Sequence, residues 1–378
     1  MTEQREPRFG WKKSILFSAI LIGTFFGLAE LLLRGWSYFV REKAIQFDLA
    51  TETFVLVPGE HPARFVTASI NSDGFVGKEL EPEGDDLWRI VAVGDSCTYG
   101  GGHKTDNYAA MLELMLDQQA PPGRRYEVVN AGVSGLNSEL ALRRLRSKVI
   151  ALEPDVVTIY IGWNDLMKVD PLSQGGGERW SSVARMIDDL WLVKGMRKLI
   201  FFYLRSNLWP PKTGPESRTG RFADFEPSFY EHNLVEMIEA VRGIGSRPVL
   251  LTLPTVVKPD MTLADLENAK VIFPYFRSAY GVGDLLDLIA AYNRVIRRVA
   301  AREDVPLVEL SGSFEEIEDT PRYFIDTMHL SPFGMELVAT EVLAGLERSH
   351  LLGPAAAARP SGGQHAARPG RASRSSLE

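Results

Sequence analysis

The chain has 378 residues, of which 45% are hydrophobic and 24% charged, a composition typical of one large globular domain with appendages. The formal net charge is −7 and no basic stripe runs through the body of the chain, so nucleic acid is not expected as a partner. The single cysteine, Cys97, excludes an internal disulfide and a cysteine-based metal cluster.

The first predicted element is a membrane-spanning helix over residues 14–33. This stretch is apolar apart from small polar residues and Glu30, and at 1.5 Å per residue it spans about 30 Å, the thickness of the hydrocarbon layer. A long buried helix or a cleavable signal peptide would give a similar pattern. The run is longer than the apolar part of a typical signal peptide, and no A-x-A-like cleavage site follows it. Residues 1–45 are therefore interpreted as a cytoplasmic tail and an uncleaved anchor.

Basic residues on both sides of this helix predict its orientation. A small excess before the span favours a cytoplasmic N-terminus, and hence a single-pass protein of the inner membrane with a periplasmic body. The residues compared are Arg5, Arg8, Lys12 and Lys13 before the span and Arg34, Arg41 and Lys43 after it. Gly23 and Gly27 have the GxxxG spacing of a helix-dimer face, which also occurs by chance, so a homodimer through them is one expectation.

Apolar runs and helical patterns alternate through the body of the chain. The predicted strands cover residues 88–93, 126–129, 155–161, 248–253 and 305–310. The predicted helices cover residues 108–116, 138–152, 229–242, 285–302 and 331–346, the last with Ser331 as its cap and Pro332 in its first turn. This order predicts an α/β fold, a three-layer α/β/α sandwich around a five-stranded parallel sheet.

The predicted domain occupies residues 88–350. An N-terminal extension or linker at 46–87 precedes it, and its NSDGF sequence predicts a turn. An insertion at 166–228 interrupts the alternation. Its apolar and basic stretch fits a lid over the site, a helix on the membrane surface or an ordinary packing helix. Residues 351–378 are rich in Pro, Ala, Gly, Ser and Arg and are expected to be disordered.

Short polar and glycine-rich sequences follow the predicted strands. GDS at 94–96, NAGVSG at 130–135 and GWND at 162–165 follow the first three strands, and DTMH at 326–329 lies beyond the fifth. Parallel strands end at one edge of the sheet, where ligands bind in folds of this class. Each sequence alone is weak evidence, but the ordered set predicts one functional site.

The residue types in these sequences suit nucleophilic catalysis. A serine hydroxyl such as that of Ser96 needs a base to take its proton, and His329 is the candidate base. Asp326, three residues earlier, is placed to orient the imidazole and to stabilise its charged form. The chain order Ser, Asp, His is that of the α/β hydrolases, although their G-x-S-x-G elbow is missing here.

Attack by a serine on a carbonyl creates an oxyanion, which requires hydrogen-bond donors already in place. Three candidates follow from the same sequences: the backbone N–H of Ser96, the backbone at Gly135 and the side-chain amide of Asn164. Asp165 is a candidate helix cap, and Asp95 is expected to be a structural hydrogen-bond acceptor beside the nucleophile.

The four sequences GDS, NAGVSG, GWND and DTMH resemble the sequence blocks of the SGNH hydrolases, also called the GDSL esterase/lipase superfamily. With the predicted anchor, the chain resembles a membrane-anchored, bacterial-type member of that superfamily. The resemblance covers residues 88–348 and implies a flavodoxin-like fold with no metal or organic cofactor. It implies that Ser96, Asp326 and His329 form the catalytic triad. Choosing Gly135 rather than Gly132 as a donor depends on how NAGVSG aligns with the family's second block. Cys97 stands where the family motif has leucine.

We therefore expect a serine esterase that removes acyl groups from an envelope or exopolysaccharide glycan, or from a lipid ester, through an acyl-enzyme. A second hypothesis is an O-acyltransferase that uses the same acyl-enzyme. Three further hypotheses are a non-catalytic envelope scaffold or carbohydrate-binding module, a flavodoxin-like nucleotide binder, and an enzyme with a thiol nucleophile at Cys97. The family analogy and the anchor alone support the choice of substrate.

Overall fold

A computed structural model of the protein describes residues 11–40, 44–62, 67–167, 212–271 and 281–353. Between 168 and 211 it describes only residues 169, 190, 192, 193 and 196, and it describes no side chain in 36–40. The predicted cytoplasmic tail before residue 11, most of the insertion and the predicted tail beyond Gly353 lie outside the described residues.

The first helix, α1, runs from Trp11 to Val40 and includes the predicted span. Its segment Trp11–Gly35 has a mean hydropathy of 2.1 and is not buried against the rest of the chain, so it is long and apolar enough to be a membrane anchor or a signal sequence. Glu30 lies near its carboxyl end, where Arg34 Nε donates to it at 2.8 Å. In a membrane anchor, such a pairing would lower the cost of a carboxylate near the membrane boundary.

Two antiparallel hairpins form most of the N-terminal extension. Their strands are β1 Ile45–Asp48, β2 Thr53–Leu56, β3 Gly59–Pro62 and β4 Thr67–Ile70. The predicted turn at 71–75 is present, because the side-chain oxygen of Asn71 accepts from the backbone N–H groups of Asp73 and Phe75. Phe75 is buried in the same core as the main sheet.

The main sheet has five parallel strands in the order β6-β5-β7-β8-β9, which confirms the predicted sheet and its flavodoxin-like strand order. Its strands are β5 Leu87–Gly94, β6 Arg125–Asn130, β7 Val156–Tyr160, β8 Arg247–Leu251 and β9 Leu307–Val308. Strand β5 is central, since Val91 pairs with Val129 on one side and Val157 on the other. Every residue of β5 is buried.

Helices cover the two faces of this sheet. The other α-helices with described bounds are α2 Ser96–Tyr99, α3 Tyr108–Gln118, α4 Ser138–Arg144, α5 Trp163–Met167, α6 Ser228–Arg242, α7 Leu263–Asn268, α8 Val282–Arg302, α9 Leu310–Glu315 and α10 Pro332–Arg348. Helix α3 packs against α10, while α4 and α8 both pack against α6. The predicted cap of α10 is present, because Ser331 accepts from Gly334 N.

Two elements differ from their predicted form by more than a few residues at their ends. Strand β9 has only two residues because the chain leaves the sheet at Glu309, whose carboxylate binds Thr252 and Arg297, and then enters α9. The predicted helix 138–152 is helical throughout but irregular. Its α-helical part ends at Arg144 and is followed by a π-turn and a 3₁₀-turn.

Candidate active site

The turn after β5 holds Ser96 at the carboxyl edge of the sheet. Asp95 caps the short helix α2 by accepting from Cys97 N at 2.9 Å, and Ser96 is the first residue of that helix. Gly94 makes this tight turn possible, because a Cβ there would overlap Thr98 Oγ1 and the backbone oxygen of Tyr160. The sequence GDS is therefore a strand end, a helix cap and a serine on the first helical turn.

The structure brings Ser96, His329 and Asp326 together in one hydrogen-bonded series. His329 Nε2 lies 2.8 Å from Ser96 Oγ, and His329 Nδ1 lies 2.7 Å from Asp326 Oδ2. Because an ionised carboxylate only accepts hydrogen bonds, the proton of the neutral imidazole is on Nδ1, and Nε2 accepts from the serine hydroxyl. The other oxygen of Asp326 accepts from the backbone N–H groups of Met328 and His329, which fixes the carboxylate in its turn.

The two other predicted donors meet at the ends of β6 and β7. Asn164 Nδ2 donates to Leu136 O at 2.8 Å, which holds the amide beside the loop that contains Gly135. An amide nitrogen has two hydrogens, so this bond leaves one for a ligand. Gly135 has a positive φ of 86°, and a Cβ there would meet no atom within 4 Å.

Gly132, the other glycine of the second block, lies in a different environment. A Cβ at Gly132 would overlap the backbone nitrogen of Tyr99 and lie 2.8 Å from the carbonyl carbon of Thr98. Its backbone N–H donates to Asn130 Oδ1 at 3.0 Å. Gly132 therefore lets the second block pack against the nucleophile turn, whereas Gly135 faces open space.

Comparisons with known proteins identify the family of this chain. The model of the GDSL-like Lipase/Acylhydrolase family matches residues 92–337, about two thirds of the chain. The chain belongs to this family. The resemblance seen in the sequence is thereby confirmed, and the protein is a serine hydrolase that acts on esters.

Solved structures with a similar fold have low sequence identity to this GDSL hydrolase. An alpha/beta hydrolase enzyme from the metagenome of Lake Arreo, Spain, is 20% identical, with a TM-score of 0.44, over 71% of this chain and 97% of that one. The lipase/acylhydrolase from Enterococcus faecalis is 19% identical, with a TM-score of 0.41, over 69% and 96%. An acetyl xylan esterase from Geobacillus stearothermophilus is 18% identical, with a TM-score of 0.43, over 68% and 94%. No curated protein matches the chain.

Electrostatics prepare the GDSL hydrolase's His329 and Asp326 for proton transfer. Burial disfavours the charged form of His329, but the hydrogen bond to Asp326 and the charges of Asp326 and Asp95 outweigh it and raise the pKa of His329. Burial also acts against ionised Asp326, yet the bond from His329 and two backbone N–H groups lower its pKa. At neutral pH Asp326 is therefore ionised and accepts from the histidine.

The thiol of Cys97 is not suited to act as the nucleophile. It is fully buried, and burial, followed by the charges of Asp95 and Asp326, raises its pKa well above the ordinary value. Its sulfur lies 3.5 Å from the backbone oxygen of Met328. A thiol held in its neutral form and away from solvent packs behind the turn and does not attack a substrate.

Two supporting residues of the site were not identified in the sequence. Arg144 is buried, and its guanidinium donates to Ala131 O and Gly74 O, so it ties the second block to the N-terminal extension. Burial lowers its pKa to about 10. Ser138 donates to Asp165 through both its hydroxyl and its backbone N–H, which joins the start of α4 to α5. Both bonds connect distant parts of the chain, and no local pattern signals them.

No cation site is evident in the described part of this GDSL hydrolase. Among the residues that the structure describes, no group of three or more His, Cys, Asp or Glu side chains is placed to hold a metal ion. That the reaction needs no metal or organic cofactor stays a prediction.

Proposed function

We propose that this GDSL hydrolase cleaves carboxylic esters through an acyl-enzyme on Ser96. The observation that carries the proposal is the series of hydrogen bonds from Ser96 Oγ through His329 to Asp326, at 2.8 and 2.7 Å. In this geometry the hydroxyl proton has an acceptor at Nε2, and the imidazolium that results faces an ionised carboxylate.

The first half of the reaction forms the acyl-enzyme. Ser96 Oγ attacks the ester carbonyl while its proton moves to His329 Nε2. The oxyanion accepts hydrogen bonds from Ser96 N–H, Gly135 N–H and the second amide hydrogen of Asn164. As the intermediate collapses, the ester C–O bond breaks and the alcohol leaves with the proton from His329.

The second half releases the acid. Water enters, gives a proton to His329 Nε2 and attacks the acyl carbonyl through the same oxyanion site. The bond to Ser96 Oγ breaks, the carboxylic acid leaves, and the serine regains its proton. The same acyl-enzyme supports acyl transfer where a sugar hydroxyl replaces water, and product analysis with added acyl acceptors distinguishes the two outcomes.

An esterase assay with an active-site label tests the proposal. The full-length protein in detergent is assayed with p-nitrophenyl acetate, butyrate and longer esters, and labelled with a fluorophosphonate. We expect turnover and labelling of Ser96, both lost in Ser96→Ala. Turnover that persists in Ser96→Ala, or a folded wild-type protein with no turnover on any chain length, would contradict the mechanism for these substrates.

We propose further that α1 anchors the protein in the inner membrane with the hydrolase domain in the periplasm. The apolar, unburied segment Trp11–Gly35 supports an anchor, and the small excess of basic residues before it supports the orientation. The substrate would then be an acylated envelope or exopolysaccharide glycan, or a lipid ester. Sedimentation of the full-length protein with membranes and a periplasm-specific signal from a C-terminal reporter are expected. A soluble protein or a cytoplasmic signal would refute this location.

A further inference from the structure

Asp95, the residue directly before the nucleophile, caps a helix with a carboxyl group, although a helix cap does not need a charged side chain. The side chain is fully buried, and only one of its oxygens, Oδ1, has a role as the cap of α2. Among the described residues, the other oxygen, Oδ2, has no hydrogen-bond partner. Asn and Ser cap helices as well as Asp does, without a charge to bury. A buried carboxylate at this position therefore needs a reason other than the cap.

The titratable groups that interact electrostatically with Asp95 come from several elements. They are His329 from the catalytic turn, Asp165 from α5, Cys97 from α2, Tyr160 from β7, Tyr108 from α3 and Tyr230 from α6. Burial raises the pKa of the thiol and of the three phenols, so these four groups stay neutral at the pH of the reaction. Asp165 repels the carboxylate. Among these groups, His329 alone gains a positive charge during the reaction.

We propose that Asp95 is a positioning residue for the esterase reaction proposed above: directly before Ser96 in the chain, it adds a second buried carboxylate to the surroundings of the His329 imidazolium that forms when Ser96 loses its proton. Asp326 orients the imidazole through a direct bond, whereas Asp95 acts through its charge across a dry interior. Such a charge is effective because the surrounding side chains, unlike water, do not reorient to screen it. The hydrogen bond from Cys97 N–H holds the carboxylate of Asp95 in place.

This role has a consequence for the pH dependence of the reaction. Burial raises the pKa of Asp95 to about 6, and the charge of Asp95 in turn raises the pKa of His329. The acid limb of the log(kcat/KM) profile follows the protonation of His329, the general base. The charge of Asp95 should therefore place the midpoint of this limb at a higher pH in the wild-type protein than in a variant without that charge.

The variant Asp95→Asn removes the charge and keeps the cap. We expect the midpoint of its acid limb to lie at a lower pH than in the wild type, because the pKa of His329 loses the contribution of Asp95. We expect kcat/KM on its plateau to fall by at most about tenfold for each unit by which that pKa decreases. The measurement is hydrolysis of p-nitrophenyl butyrate by the full-length protein between pH 4.5 and 9.

Asp284→Asn is the matched control. Asp284 is equally buried, and it accepts from the backbone N–H and hydroxyl of Thr219 at the start of α8. Its neutralisation should leave the slope and midpoint of the acid limb unchanged. A purely structural Asp95 would give a variant with a wild-type profile, and this result would overturn the proposal.

Two further measurements keep the test decisive. If Asp95→Asn does not fold, Asp95→Ser is measured in the same way, since Ser also caps a helix without charge. An uncharged Asp95 variant that folds and keeps both the wild-type midpoint and the wild-type plateau overturns the proposal, whatever the slope of the wild-type limb. Failure of the esterase mechanism itself has a different signature, because Ser96→Ala would then retain activity or the wild-type protein would have none.

Discussion

Two glycines of the second block, Gly132 and Gly135, are candidates for the oxyanion donor. Alanine at Gly132 should mainly lower stability, and alanine at Gly135 should mainly lower kcat. At Gly132 a Cβ would overlap the backbone nitrogen of Tyr99 and lie 2.8 Å from a second backbone atom, the carbonyl carbon of Thr98. Backbone atoms in a short helix cannot move aside as the end of a side chain can. We expect Gly132→Ala to lower the free energy of unfolding by about 3 kcal/mol, the upper end of the usual range for overpacking.

At Gly135 the expected effect is on catalysis. A Cβ there has open space, so the stability cost is that of a positive φ in an L-residue, about 1 to 2 kcal/mol. Relaxation of this φ would turn the backbone N–H away from the oxyanion. Loss of one such donor typically lowers kcat by about a hundredfold or more. Gly132→Ala should keep a kcat close to that of the wild type wherever it is folded.

Urea unfolding followed by tryptophan fluorescence gives the stability of both variants, and p-nitrophenyl ester hydrolysis under folding conditions gives kcat. Gly132→Ala should be the less stable of the two variants, and Gly135→Ala should have the lower kcat. A Gly135→Ala variant with full kcat beside a folded Gly132→Ala variant with reduced kcat would assign the oxyanion donor to Gly132. Equal stability of the two variants would refute the packing argument.

Three other outcomes are expected. Ser96→Ala should lower kcat by about a thousandfold or more with a wild-type unfolding curve, because it removes the nucleophile and little buried surface. Asn164→Ala should lower kcat by about a hundredfold or more with a smaller change in KM, as measured by steady-state kinetics, because its donor acts on the oxyanion. Asp95→Asn should be more stable than the wild type at pH 8. The folded pKa of Asp95 is raised to about 6 from an ordinary 3.8, so the wild type loses stability as pH rises through this range. Asn avoids a loss of at most about 3 kcal/mol, and urea titrations at pH 4 and pH 8 should show the gain only at the higher pH.

The sequence predicted the strands of the sheet well because each strand is a local apolar run, whereas their flavodoxin-like order was implied by the family resemblance. Strand β5 is buried along its whole length, and its apolar run, interrupted by Arg89, is typical of an interior strand of a parallel sheet. The predicted fifth strand was too long because the chain leaves the sheet at Glu309, which is held by Thr252 and Arg297 from other elements. Local sequence patterns do not indicate hydrogen bonds to residues that are distant in the chain.

The sequence by itself determined the residues of the site and their meeting at one edge. Glycine-rich and polar residues that follow successive parallel strands must lie at the carboxyl end of one sheet, so Ser96, Asn164 and His329 were identified from order and chemistry alone. Only the tertiary structure decided what surrounds them. It distinguished Gly132 from Gly135 by the space beside each, and it buried Asp95 with one oxygen that has no hydrogen-bond partner among the described residues. Contacts and burial depend on residues that are far apart in the chain. The surroundings of each site residue could therefore be described only from the tertiary structure.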